Sequence, residues 1–203
     1  MKKYLIVTLA MFVLGSFGVV FAQANTASHD IRVRIPDLLM LRITNGSSNA
    51  SVASPIVSFN FVDNAGGLAA YLALVESGVA GNLEPTFTNF GDVIVLSNRG
   101  SWVVDVDATA FVFDDDILRG ETAAGLALSD ITVDPSAAAG VGGITSINDT
   151  FVLSTVEQSI AAGTRTLGWT SLGIAGNAYR INVSGDEAPG TYDTTVTYTI
   201  TAP

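Results

Sequence analysis

The chain has 203 residues, no cysteine, a single histidine and a formal net charge of −10. The acidic excess argues against a protein that binds nucleic acid or anionic lipid, because both need basic patches. The usual zinc sites and a disulfide framework are excluded as well, since their ligands or thiols are missing.

The first residues follow the three-part pattern of a secretory signal peptide. Lys2 and Lys3 precede an apolar run over residues 5–21, and small residues follow at Ala22 and Ala24. We expect a signal peptide over residues 1–22, with cleavage after Ala22 or Ala24, and one domain over residues 23–203. An uncleaved anchor is the alternative, although a spanning helix needs about 20 apolar residues.

Cleavage would remove both lysines of the chain and would take the net charge from −10 to −12. A Schiff-base lysine or a lysine isopeptide crosslink is then impossible. We expect a bacterial protein that is secreted or held at the cell surface, with no membrane insertion of the mature chain.

Short alternating runs separated by Gly, Asn, Asp and Pro make up most of the remaining sequence. The candidate strands are residues 31–35, 38–44, 56–62, 93–96, 102–113, 126–133, 150–156, 158–161, 166–174, 178–183 and 191–201. They predict an all-β fold, an antiparallel β-sandwich of Ig-like or fimbrial-like type with about nine to eleven strands. Residues 68–76 are rich in helix formers, and a short helix or a buried edge strand both fit there.

The clearest strands are the last two. Tyr179, Ile181 and Val183 share one face of the first. Tyr192, Val196, Tyr198 and Ile200 share one face of the second, with threonines on the other face. Residues 184–190 between them have turn chemistry, so we expect two antiparallel strands, apolar inside and polar outside.

Catalysis is poorly supported by the sequence. His29 lies close to the expected mature N-terminus, where a catalytic triad would not be held rigidly. No Gly-x-Ser-x-Gly sequence and no phosphate-binding lysine loop occur. We expect a protein that is not an enzyme and that carries no organic cofactor.

Five aspartates form the best candidate for a metal site: Asp105, Asp107, Asp114, Asp115 and Asp116. Asp105 and Asp107 share a strand face, and the three consecutive aspartates begin a loop. Ca²⁺ prefers such carboxylate ligands, although the EF-hand spacing is not met. A calcium site and a solvated acidic turn are both open readings.

Two tryptophans, Trp102 and Trp169, are candidates for a glycan-binding platform, and core packing is the alternative for each. Three runs around them are Ser101–Val106, Gly168–Leu172, and Ala188–Tyr192 leading into Thr195–Ile200. In these runs the chain resembles bacterial surface β-sandwich proteins, namely fimbrial subunits and WxL-type cell-surface domains. The resemblance covers the C-terminal half and implies an extracellular structural or adhesive protein.

Two functions follow as expectations. The first is a structural surface protein that assembles into a filament or fimbria-like polymer, in which residues 25–35 (the N-terminal segment) add to a sheet edge of the next subunit. Ile31, Val33 and Ile35 would then be inserted, with Arg32 and Arg34 facing an acidic neighbour. The segment could instead be the first strand of its own sandwich.

The second function is a glycan or cell-wall binding module, stabilised by Ca²⁺.

Overall fold

The computed structural model describes residues 30–46, 48–114 and 125–203, and residues 36–203 form one compact unit. The described part contains one α-helix, α1 (Ala65–Ser77), and two 3₁₀ turns at Leu128–Asp130 and Gly176–Ala178. The strands are β1 (Leu39–Thr44), β2 (Val57–Ser58), β3 (Gly81–Leu83), β4 (Phe87–Thr88), β5 (Asp92–Ser97), β6 (Trp102–Ala108), β7 (Val112–Asp114), β8 (Ile131–Val133), β9 (Ile144–Ile147), β10 (Phe151–Val152), β11 (Gln158–Gly163), β12 (Thr170–Ser171), β13 (Tyr179–Val183), β14 (Thr191–Asp193) and β15 (Val196–Thr201).

The strands form antiparallel sheets, so the predicted β character of the chain is confirmed. The first sheet has the order β1–β5–β12, the second β10–β8–β13–β3, and the third β15–β6–β11–β9. Two small ladders, β14–β7 and β2–β4, complete the described set. Buried side chains of the three larger sheets belong to one hydrophobic cluster, which includes the fully buried Val95, Val133 and Val104.

The β7–β14 ladder continues the β6–β15 ladder after a break. The β6–β15 ladder ends at the pair Ala108–Val196, and pairing resumes at Val112–Asp193. Three residues of one strand therefore lie opposite two residues of the other. This is the arrangement of a β-bulge, which bends a ribbon and increases its twist.

The run at residues 68–76 is helical, which decides between the two structures that its sequence allowed. The helix starts earlier because the Asn64 side chain accepts a hydrogen bond from the Gly67 amide at 2.8 Å. It ends at Gly78, whose φ of 67° is left-handed. Leu72 on α1 is 46% exposed, so this apolar helix is only partly covered.

Residues 31–35 do not form a strand. The expectation that they are the first strand of the chain's own sandwich is therefore wrong. Residues 30–38 contain no strand, and pairing begins at Leu39. Pro36 has no amide hydrogen to give to a ladder, and it separates the alternating run from β1.

The last two strands keep the predicted faces but do not form a pair with each other. Strand β13 lies in the second sheet, β14 pairs with β7, and β15 lies in the third sheet. Residues 184–190 are long enough to carry the chain from one sheet to another, and the apolar faces of β13 and β15 then pack against the same core.

The described residues contain fifteen strands, more than the expected nine to eleven. The runs at 102–113 and 191–201 are each divided in two by the bulge. Four strands have only two residues, and alternation cannot reveal pieces of that length. No helix in the described part of the chain is long and apolar enough to cross a membrane.

Candidate functional site

The N-terminal segment presents an apolar row to solvent. Ile31, Val33 and Ile35 are 79%, 74% and 78% exposed. Arg32 and Arg34 occupy the intervening positions and are exposed as well. An extended chain places alternate side chains on opposite sides, so these residues form one apolar and one basic side whenever the segment is extended.

A groove lies between the N-terminal half of α1 and the strand β3, and we call it the α1–β3 groove. Gly67 and Ala70 line it from the helix, while Leu83 and Glu84 line it from the strand side. Phe61 contributes an aromatic ring to the same groove. Ala70 is exposed and carries no long side chain, whereas Gly67 is buried against the backbone oxygen of Asn60 and the methyl group of Thr86.

Strand β3, which lines the α1–β3 groove, has a strand neighbour on one side only. Strand β3 is the terminal strand of the second sheet and pairs with β13 on one side, in the register Leu83–Ile181. Among the described strands, none pairs with its other side. A terminal strand of this kind can accept backbone hydrogen bonds from an added strand.

The stretch of sequence that contains α1 and β3 is acidic, although Arg180 of β13 also lies at the groove beside Glu84. No lysine or arginine occurs between Arg42 and Arg99, whereas Asp63, Glu76 and Glu84 all lie in that range. The Glu84 side chain is 75% exposed and forms an ion pair with Arg180 at 3.2 Å. An exposed pair of this kind contributes only about 0–1 kcal/mol, so Glu84 can exchange its partner at little cost.

The aspartates predicted as a calcium site are only partly brought together. Asp105 and Asp107 lie on the outer face of β6, and the Ser159 hydroxyl donates to Asp105 Oδ1 at 2.6 Å. Asp114 ends β7 in another ladder. Asp115 and Asp116 lie outside the described residues, and the residues that are described contain no group of three potential metal ligands.

The two tryptophans have different environments. Trp102 is fully buried, and its indole N–H donates to the carbonyl oxygen of Thr164, so this ring cannot contact a ligand. Trp169 is half-buried near the outer face of the first sheet. The guanidinium carbon of Arg42 lies 4.5 Å from the centroid of the Trp169 ring, a cation–π contact that holds the indole in place.

A shallow polar depression adjoins Trp169. Asn49, Asp92 and Ser171 contribute polar groups to its lining. The Ser171 hydroxyl donates to Asp92 Oδ2, whereas Asp92 Oδ1 is buried without a hydrogen-bond partner. Burial raises the pKa of the Asp92 carboxyl, although the Ser171 hydroxyl and nearby backbone amides favour its ionised form.

Comparison of the chain with family models, curated proteins and solved structures finds no match.

The alternating residues 31–35 stand out in the sequence, whereas the α1–β3 groove does not. Two signals for the groove were present: the pair Gly66–Gly67 at the start of a helix-forming run, and the lack of any basic residue between Arg42 and Arg99. Neither signal locates a sheet edge, because the position of β3 at the end of the second sheet depends on long-range pairing.

Proposed function

We propose that this chain is a non-catalytic structural protein of the bacterial cell surface, exported by its N-terminal signal peptide and folded as an elaborated β-sandwich. The antiparallel sheets that share one core support the sandwich architecture. The signal-peptide pattern supports export, and the sequence resemblance to fimbrial subunits and WxL-type domains points to the cell surface.

The proposed role is self-association into a filament, in which the N-terminal segment of one copy adds to a sheet edge of another. One observation carries this proposal: Ile31, Val33 and Ile35 form an alternating apolar row that is at least 74% exposed in a stretch with no strand partner. Complete burial of one such side chain contributes about 1.5–3 kcal/mol. Association costs about 4–15 kcal/mol, so the row and the backbone hydrogen bonds are needed together.

Sedimentation velocity over a range of protein concentrations tests this role, with the protein purified in the form that its host produces. Val33→Asp places a charge in the apolar row, and we expect at least a tenfold loss in the association constant. Val156→Asp is the matched control, because Val156 is 71% exposed against 74% for Val33. Equal association of the two variants and the wild-type chain would show that the segment does not drive assembly.

Glycan binding is the second candidate function, and the depression beside Trp169 favours it. An indole ring held by Arg42 and flanked by Asp92, Asn49 and Ser171 offers both a stacking surface and polar groups for hydroxyls. We expect Trp169→Ala to abolish retention on insoluble bacterial cell wall while leaving the melting temperature almost unchanged. Leu167→Ala is the control, since Leu167 is fully exposed two residues away. Equal retention of both variants would rule this function out.

Calcium stabilisation is a separate part of that second function. If Asp105, Asp107 and the acidic residues after them hold Ca²⁺, a chelator should lower the melting temperature, and added Ca²⁺ should restore it. An unchanged melting temperature would remove calcium from the proposal and would leave glycan binding untouched.

A further inference from the structure

We infer that the α1–β3 groove is the acceptor site for the N-terminal segment of a second copy of this chain. The inference depends on the proposed self-association and identifies the surface that receives the segment. It commits to β-strand addition, in which the guest strand pairs with the free edge of β3 and lies alongside α1.

Backbone pairing is the first reason. Strand β3 is paired only with β13, and no strand of the described chain occupies its outer side. The described N-terminal segment is likewise without a ladder. The backbone amide and carbonyl groups of the segment can therefore pair with those on the outer side of β3. This is the condition for adding a strand to an edge.

The shape of the α1–β3 groove is the second reason. Ala70 keeps the exposed part of the helix wall low, and the half-buried Phe61, whose ring stacks on Tyr71 of α1 with 5.3 Å between the centroids, adds apolar surface to the groove. Alternate residues of an extended strand project to the same side about 6–7 Å apart. The apolar row of the N-terminal segment can therefore face the groove while the arginines face outward, with the three residues of β3 available for pairing.

Charge complementarity is the third reason. Arg32 and Arg34 alternate with the apolar row, and Glu84 at the groove is mostly exposed. Arg180 of β13 already forms an ion pair with Glu84, so Arg32 or Arg34 would compete with Arg180 for this carboxylate. Opposite charges of this kind fix the register of an added strand more than they raise affinity.

The edge of β15 is another candidate acceptor, because β15 is also a terminal strand, and its surroundings are less favourable. Strand β1 of the first sheet lies close to β15, which leaves less space around β15 for a guest strand. The segment and the groove are also different surfaces of the molecule. Repetition of such a heterologous contact gives an open chain of subunits rather than a closed dimer.

Single substitutions separate the donor from the acceptor. Val33→Asp disables the donor, and Ala70→Arg fills the groove with a long charged side chain where the apolar row would lie. The control is Ala69→Arg, because Ala69 is also exposed on α1 but points about 100° away and does not line the groove. Equal melting temperatures of Ala70→Arg and Ala69→Arg establish that Ala70→Arg folds. Glu84→Gln is a milder acceptor variant, and we expect it to weaken association several-fold.

Sedimentation velocity then gives the decisive comparison. We expect open-ended association for the wild-type chain and Ala69→Arg, and monomers for Val33→Asp and Ala70→Arg alone. An equimolar mixture of Val33→Asp and Ala70→Arg should give dimers and nothing larger, since each pair keeps one intact segment and one intact groove.

Two other outcomes would overturn the inference in different ways. If Val33→Asp is monomeric while Ala70→Arg and Glu84→Gln associate like the wild-type chain, the α1–β3 groove is not the acceptor, and the proposed function stands. If the wild-type chain is monomeric, or if all variants associate equally, both the acceptor and the proposed function are wrong.

Discussion

The hydroxyl oxygens of Tyr179 and Tyr198 lie 2.6 Å apart and join the second sheet to the third. Phe90 packs beside both rings, with centroid separations of 5.9 and 6.5 Å. Tyr179 is buried, and Tyr198 keeps part of its surface accessible although its hydroxyl is desolvated. The pair is a polar link between sheets inside an otherwise apolar region.

Alkaline pH should destabilise the protein through these two phenols. Burial raises the pKa of Tyr179 to about 12, and burial together with the neighbouring Tyr179 raises the pKa of Tyr198 well above its ordinary value. An unfolded tyrosine titrates near pH 10. The raised folded-state pKa therefore contributes stability that is intact below about pH 10 and is lost as the pH rises towards about 12.

Denaturant unfolding at a series of alkaline pH values, combined with the ultraviolet absorbance of phenolate, measures this loss. The variant Tyr179→Phe/Tyr198→Phe is the control, and its stability should depend much less on pH in that range. The account is wrong here if both phenols titrate at the ordinary pH while the protein remains folded.

Removing one hydroxyl of the pair should cost more than removing both. Tyr198→Phe leaves the buried Tyr179 hydroxyl without this partner, and a desolvated polar group left unpaired costs about 1–3 kcal/mol. The double phenylalanine variant removes both polar groups and keeps the ring shapes. A thermodynamic cycle from urea unfolding should therefore show non-additive effects, and simple additivity would mean that the hydroxyls do not interact.

Gly163 allows β11 to approach the buried indole of Trp102. A Cβ at Gly163 would lie 2.1 Å from Trp102 Cζ2 and 2.4 Å from the carbonyl oxygen of Gly143. We expect Gly163→Ala to lower the free energy of unfolding by about 1–3 kcal/mol, as overpacking does. Gly100→Ala is the matched control because nothing lies within 4 Å of its Cβ position, and equal stabilities of the two variants would contradict this packing.

Asp92→Asn should stabilise the protein at neutral pH. The raised pKa of Asp92 means that the folded state favours the neutral carboxyl, so ionisation above that pKa costs stability. The asparagine variant avoids this cost, and its advantage should shrink as the pH falls through the folded-state pKa of Asp92. Urea unfolding of both proteins at several pH values between 3 and 7 checks the sign, and a constant difference would contradict it.

The sequence predicted the side-chain faces of the long strands well, because alternation depends only on neighbouring residues. On β6, Val104, Val106 and Ala108 are buried, and the half-buried Asp105 and Asp107 lie between them as expected. The same reasoning held for the apolar face of β13.

The sheet partners and the α1–β3 groove were not predictable in the same way. Strand β13 could have paired with the strand that follows it, yet it joins β8 and β3, because residues far apart in sequence share the core. Trp102 and Trp169 look alike in the sequence, with a small residue before each and a strand-like run after it, and only the packing of Gly163 against Trp102 shows which one is buried. For the N-terminal segment, alternation alone could not show whether residues 31–35 pair within their own sandwich or remain unpaired.

Amide hydrogen exchange of the N-terminal segment tests the central claim most directly. Mass spectrometry can follow the peptide that covers residues 30–38 at low and at high protein concentration, with the peptide over β6 as an internal reference. The account predicts rapid exchange of residues 31–35 in the dilute protein and strong protection at high concentration, with Val33→Asp unprotected at both. Rapid exchange at both concentrations, while the protein nevertheless associates, would contradict strand addition by this segment.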